Sequence, residues 1–199
     1  ARAADGSGAV ETLFKGRPDW DGVPRACSPD GKWVLARMSP ATGSADIVAI
    51  PMSRSGEPVP VAATPAHEED PQFSPDGRFV AYKSAESGRD EVYVAAFPPT
   101  GAKWQVSQEG GVEPRFSRDG KELFYFDREN RLTAVEIKTS GSAFETGASK
   151  VLFQFHGAGP YRRYDVAPDG KSFLVTTELE EKATPLITLV ANWTATIKP

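Results

Sequence analysis

Phe73–Tyr82 reads FSPDGRFVAY, and the same phrase returns three times in altered form: Cys27–Ala36 (CSPDGKWVLA), Phe116–Tyr125 (FSRDGKELFY) and Val166–Val175 (VAPDGKSFLV). The central aspartates, Asp30, Asp76, Asp119 and Asp169, are 46, 43 and 50 residues apart, which is the period of a propeller blade. In Ser74-Pro75-Asp76-Gly77 the proline presets φ for the second position of a type I turn and the aspartate suits the third. The glycine can then enter the left-handed region that follows. Asp30-Gly31, Asp119-Gly120 and Asp169-Gly170 repeat that turn.

After each turn comes an apolar run without alternation: Phe79-Val80-Ala81-Tyr82, Trp33-Val34-Leu35-Ala36, Leu123-Phe124-Tyr125-Phe126 and Phe173-Leu174-Val175. A strand with one wet face would alternate, so these strands are expected to be covered on both sides, as in a blade wedged between neighbours. A third strand is legible at Ile47–Ile50, Val92–Phe97, Leu132–Ile137 and Leu186–Trp193, and a fourth at Val59–Ala63, Trp104–Ser107 and Val151–Phe155. The expected fold is therefore all-β: one β-propeller domain over residues 1–199, made of four-stranded antiparallel blades. Residues 1–15 supply the incoming strands of a split blade. Repeats follow at 18–63, 64–108 and 109–155, and the repeat at 156–199 lacks its outer strand.

That vacancy leaves two arrangements: a four-bladed ring closed by Val10–Phe14, or the C-terminal part of a larger propeller. An open ring would favour self-association, because closure is what removes exposed edges. The opening ARAADGSGAVETLF reads as the later strands of a blade whose first two are absent, so a fragment or processed product is expected.

Composition agrees with this architecture. The chain's 199 residues can bury about 70% of the surface of the unfolded chain, and its 17 prolines and 18 glycines punctuate apolar runs. A net charge of −4 with scattered lysines and arginines disfavours a nucleic-acid groove. No apolar run reaches the length of a membrane helix. The single cysteine, Cys27, stands where the sister repeats place Phe73 and Phe116. It is expected to be a small buried core residue.

The pattern P-x-F-S-P-D-G-R-x-x-A-Y at Pro71–Tyr82, S-G-x-x-E-V-Y-V at Ser87–Val94 and K-W-Q-V-S at Lys103–Ser107 resembles the TolB-type, WD-like propeller repeat. The ending R-Y-D-V-A-P-D-G-K-S-F-L-V with L-I-T-L-V-A-N-W resembles C-terminal propellers of bacterial multidomain proteins, including those behind a serine/threonine kinase or a DNA-binding module. The resemblance implies a non-catalytic sensor or interaction module with a protein or peptide partner, and an extracytoplasmic (periplasmic) setting. Cys27, Arg118 and Ala167 depart from the repeat at single positions without changing its spacing.

No G-x-S-x-G elbow is present and only two histidines, His67 and His156, occur, so a hydrolase centre is not expected. No cofactor or metal is expected either. The four turn aspartates are explained by bonds to nearby amides, and they lack the extra residue of a sialidase-type Asp-box. Function is expected in loops just before each first strand, where a propeller opens onto its channel: Trp20 and Asp21; His67, Glu68, Glu69 and Asp70; Glu113; and Tyr161, Arg162, Arg163 and Asp165. The run His67–Asp70 is the densest acidic cluster, a possible docking point for a basic ligand or cation, with Arg162 and Arg163 placed to neutralise it across the channel. Trp33 and Trp104 read as packing residues. Two alternatives to protein binding are a gating propeller of a prolyl-oligopeptidase-type serine peptidase and a small-ligand or Ca²⁺ receptor.

Overall fold

A computed structural model describes residues 9–10, 12, 14–16, 19–53, 56–154, 164–177 and 187–190, and among these fifteen strands and no helix form four antiparallel sheets. Blade 1 comprises β1 (Trp20–Cys27), β2 (Trp33–Pro40), β3 (Asp46–Pro51) and β4 (Val59–Ala62). Blade 2 comprises β5 (Glu68–Phe73), β6 (Phe79–Ser84), β7 (Glu91–Ala96) and β8 (Lys103–Gln105). Blade 3 comprises β9 (Val112–Phe116), β10 (Glu122–Phe126), β11 (Arg131–Ser140) and β12 (Ala143–Gln154). Blade 4 shows three described strands, β13 (Tyr164–Val166), β14 (Phe173–Thr176) and β15 (Ile187–Val190). Every blade is a meander in chain order, and innermost strands of successive blades touch, β1 against β5 and β5 against β9. The protein is an all-β propeller of four-stranded blades.

The recurring turn is held as its residue types dictate. Ser74 Oγ donates to Asp76 Oδ1 at 2.7 Å and accepts the Phe79 amide at 3.0 Å, while Asp76 Oδ1 accepts the Arg78 amide. The same bonds recur at Ser28–Asp30 and Ser117–Asp119. Gly31, Gly77, Gly120 and Gly170 all lie at positive φ, between +66° and +73°. In the fourth copy Ala167 has no hydroxyl, and the Ser172 amide turns to Asp169 Oδ1 instead, at 3.2 Å. The Ser28 hydroxyl and the Lys32 amide hold the Asp30 carboxyl down to about 2.

Three cores lie between blades. Leu35, Ile47 and Ala49 of blade 1 meet Phe73, Val80 and Tyr82 of blade 2. Phe79, Ala81 and Val94 of blade 2 meet Phe116, Leu123 and Phe144 of blade 3. Phe124, Phe126 and Leu132 of blade 3 meet Tyr164, Phe173 and Val175 of blade 4. Edge-on aromatic pairs fix these joints, among them Trp33–Phe97 at 5.5 Å, Phe124–Phe173 at 5.1 Å and Phe126–Tyr164 at 4.9 Å. Trp33 and Trp104 are half-buried and pack edge-on against Phe97 and Phe79. A guanidinium also straps blade 2 to blade 3: Arg78 donates to Gly141 O and Thr139 Oγ1.

The third repeat departs from expectation. Its outer hairpin is longer than the apolar segments suggested, because β11 and β12 continue past them to a tight turn at Gly141 (φ +58°), with two register slips along the pair. Apart from Phe144, which is buried against blade 2, the extra length is mostly polar and exposed, so no apolar run marked it.

Cys27 corrects a second expectation. It is exposed, whereas Phe73 and Phe116 at the same repeat position are 6% exposed. Those two phenylalanines point back onto the preceding blade; among the described residues, blade 1 has no core on that side. Of the N-terminal stretch, the described residues 9, 10, 12 and 14–16 carry no strand. Thr12, Phe14 and Lys15 line a cavity on blade 1.

Candidate functional site

Proline shapes the inner strands. Pro71 and Pro114 offer no amide to β6 or β10, so pairing slips between Glu69 and Gln72 and again opposite Phe124–Phe126. The residue before each proline, Asp70 and Glu113, is held at φ +54°, left-handed territory that non-glycine residues seldom occupy. Blade 1 slips at the same place, between Pro24 and Ala26. The bulge is thus a repeated device that re-aims the inner strand where it faces the axis.

The acidic run does not form one cluster, because its residues lie in strand β5 rather than in a loop and alternate in direction. Glu68 is fully buried; Thr64 Oγ1 donates to its carboxylate, and Ser84 Oγ does so at 3.2 Å. Burial raises its pKa, while the Thr64 and Ser84 hydrogen bonds oppose that. Glu69 sits 3.2 Å from Arg37 Nε, an ion contact without hydrogen-bond alignment, and 3.2 Å from Lys83 Nζ. Burial likewise raises the Asp70 carboxyl; Arg115 pulls it down and Glu113 pushes it up as a like charge. His67 is exposed and its Nδ1 accepts the Ala45 amide at 3.2 Å.

Arg37, Lys83 and Arg115 therefore supply the compensation expected of Arg162 and Arg163, which lie outside the described residues, as do Tyr161 and His156. Among the described residues no three of His, Cys, Asp or Glu gather where they could share a metal ion. Trp20 and Asp21 belong to β1, with Trp20 half-buried and Asp21 exposed. Glu113 is buried in β9, 6% exposed.

The concavity on the axis lies at the opposite mouth, on the side of the Pro-Asp-Gly turns. A cavity of about 350 Å³ is lined there by Ala26, Gln72, Arg115 and Asp165, with Pro29, Pro75, Arg118 and Pro168 at its rim. The first four occupy one position in the repeat, directly before Cys27, Phe73, Phe116 and Val166; the rim four are the second residues of the turns. Sequence reasoning passed over Gln72 and Arg115, which fill a variable slot of the motif, and noted Arg118 only as a departure from the proline of the turn. The signal was the variability itself, set on an invariant frame.

Polar side chains also join the inner strands of neighbouring blades. Gln72 Oε1 accepts the Phe116 amide at 2.7 Å, and Tyr164 OH donates to Glu113 O at 2.9 Å. Arg115 is buried, its guanidinium 5.9 Å from the centre of the Tyr164 ring and its Nη1 donating to Pro114 O.

A propeller with a mixed-charge axial cavity is the class that this geometry defines. Compared with protein-family models and with curated proteins, the sequence matches none. Among solved structures the chain is similar to TolB from Acinetobacter baumannii, with 20% identity and a TM-score of 0.63 over 95% of this chain and 44% of that one. It is also similar to a Mycobacterium tuberculosis puromycin-hydrolyzing peptidase, with 20% identity and a TM-score of 0.58 over 79% of this chain and 28% of that one. An oligogalacturonate lyase solved with manganese matches at 15% identity and a TM-score of 0.61, over 86% and 48%. The likeness shows the β-propeller fold, and the chain spans about half or less of these solved chains. Enzymes and non-enzymes share the fold, so the fold alone assigns no activity.

Proposed function

We propose that the chain is a non-catalytic β-propeller module that binds a protein or peptide at its axial mouth, as a sensor or interaction part of a larger bacterial protein. The observation that carries this reading is the axial cavity, where one motif position from four repeats presents an alanine, an amide, a guanidinium and a carboxylate on the same backbone frame. Constant geometry with varied chemistry suits recognition, since a few convergent polar groups in a concave site fix a ligand's orientation. Against a catalytic role, His67 has its Nδ1 bonded to a backbone amide, and no serine hydroxyl donates to it in the bonds described. The propeller of a gating peptidase is the second reading. Its support is the likeness to the M. tuberculosis peptidase, which reaches the fold and no further.

A displayed library of linear peptides panned on the immobilised chain tests the proposal, with hits measured by fluorescence anisotropy. Arg118→Glu and Asp165→Ala alter exposed cavity residues and should weaken binding about tenfold or more without changing the thermal melt. Lys138→Ala, on the outer hairpin, should leave binding unchanged. Peptides that bind wild type and both axial variants equally would overturn the axial reading.

A further inference from the structure

Away from the axis, a polar cavity of about 380 Å³ lies between blades 2 and 3, within the range of about 300–1,000 Å³ usual for small-ligand sites. The loop after β8 walls it through Gln108 and Glu109, and β10, β11 and β12 supply the other side. Both blades are flanked by others of the same chain, blade 2 by blade 1 and blade 3 by blade 4.

The floor is a cross-strand row. Tyr125 of β10 pairs with Thr133 of β11, and Thr133 with Val151 of β12, so the three side chains share the face turned towards blade 2. Two slips in the β11–β12 register flank Thr133 and Val135, and such slips re-aim side chains. Tyr125 is 8% exposed and Thr133 5%. Among the described residues neither hydroxyl has a hydrogen-bond partner, and neither is sealed from solvent, so both open into the cavity. Buried polar groups are normally satisfied; these two adjacent hydroxyls need a partner from outside the chain. Val151 beside them is 44% exposed and adds an apolar wall.

The charges at the rim are largely spent. Asp127 accepts the Glu129 and Arg131 amides, each at 2.9 Å, and Arg131 Nε at 2.7 Å, while Arg131 Nη1 lies 3.0 Å from Glu129. What stays unused at the floor is neutral and can both donate and accept. Burial, with Asp127 and Glu91 as negative neighbours, raises the Tyr125 pKa, so its hydroxyl keeps the proton it would donate. Ser149, opposite Val135 on β12, extends the hydroxyl row on the same face.

We propose that this cavity binds a neutral sugar, a mono- or disaccharide whose ring hydroxyls pair with Tyr125, Thr133 and Ser149 and whose C–H face rests on Val135 and Val151. A sugar matches the site because its groups also donate and accept at close spacing, on a ring with apolar C–H edges. An anion finds no unspent pair of cations: Arg131 is shared between two carboxylates, and the remaining rim charges, Arg128 and Glu109, are opposite in sign. The site is separate from the axial mouth and independent of what binds there.

Saturation-transfer difference NMR on the 199-residue chain tests this, with glucose, N-acetylglucosamine, maltose and cellobiose as neutral probes and glucuronate as the charged one. Wild type should give ring-proton signals with a neutral sugar and none of comparable strength with glucuronate. Thr133→Val and Tyr125→Phe each remove one hydroxyl while keeping bulk, and each should weaken that sugar about tenfold or more. Asp165→Ala, in the axial cavity, should leave it unchanged. Because neither hydroxyl has an internal partner, neither variant should melt below wild type; a lower melt would show that the hydroxyls hold the blades together and would overturn the proposal. So would the absence of signal from every neutral probe at millimolar concentration, signal that survives both variants, or a preference for glucuronate.

Discussion

Strand β7 of blade 2 is buried at all six positions, whereas β3, its counterpart in blade 1, alternates between buried and half-buried residues. Both strands are apolar, Glu91-Val-Tyr-Val-Ala-Ala96 and Asp46-Ile-Val-Ala-Ile-Pro51. Composition therefore does not distinguish them. The difference lies in neighbours: blade 2 has a core on each side, formed with blade 1 and with blade 3, while among the described residues blade 1 has a core on one side only. Hydrophobic stabilisation follows area removed from water, so equivalent substitutions in the two regions should differ in cost according to that coverage.

The largest contrast is expected between Phe79→Ala and Leu174→Ala. Phe79 is 1% exposed and packs against Trp104 and Phe144, so its truncation should cost about 3–5 kcal/mol. Leu174 is 42% exposed, and its truncation should cost less than about 1 kcal/mol. Denaturant unfolding of both variants checks this; equal losses would mean that the outer face of blade 4 is covered in solution.

A second comparison should show no contrast between regions. Gly77 in blade 2 and Gly31 in blade 1 lie at φ +73° and +70°. A Cβ at Gly77 would meet only ordinary contacts, at 3.5 Å from Pro29 Cδ, and one at Gly31 would meet nothing within 4 Å. The penalty for valine is therefore a backbone penalty, about 1–3 kcal/mol at either site. Thermal melts of Gly77→Val and Gly31→Val should drop together, and a variant that melts with wild type would refute the turn geometry at that site.

The smallest effect concerns acid. The Asp30 carboxyl is held at about 2 in the fold, against an ordinary value of 3.8. A depressed folded value means that its contribution is complete above the unfolded value and is lost as pH falls through the folded one. The melting-temperature gap between wild type and Asp30→Asn should accordingly be constant near neutrality and close as pH drops from 3.8 towards 2. A gap that persists at the acid end would show that the side chain acts through shape rather than charge.

Repeat number, turn chemistry and strand order were legible in the sequence because each depends on local residues: a proline, an aspartate and a glycine at fixed offsets, then an apolar run. The site was legible only in part. Asp70 and Glu113 were singled out as acidic residues near the axis, but placed in loops, since the bulge that turns them arises from the following prolines and the register of a partner strand. Glu68, Glu69 and Asp70 look like one cluster when written in a line. In a strand they face different ways, and Thr64, Arg37, Lys83 and Arg115 come to them from elsewhere in the chain. The exposure of Cys27 was illegible for a similar reason, because burial at its position depends on whether another blade stands behind it.

The bonds from the Phe116 amide to Gln72 and from Tyr164 to Glu113 O tie the main chain of one sector to a side chain of the next. When one sector frays, its neighbour is left with a main-chain donor or acceptor that has lost its partner near the axis, at a cost of about 1–3 kcal/mol for each such group. The second, third and fourth sectors are thereby coupled near the axle, so loss of one is expected to weaken the next.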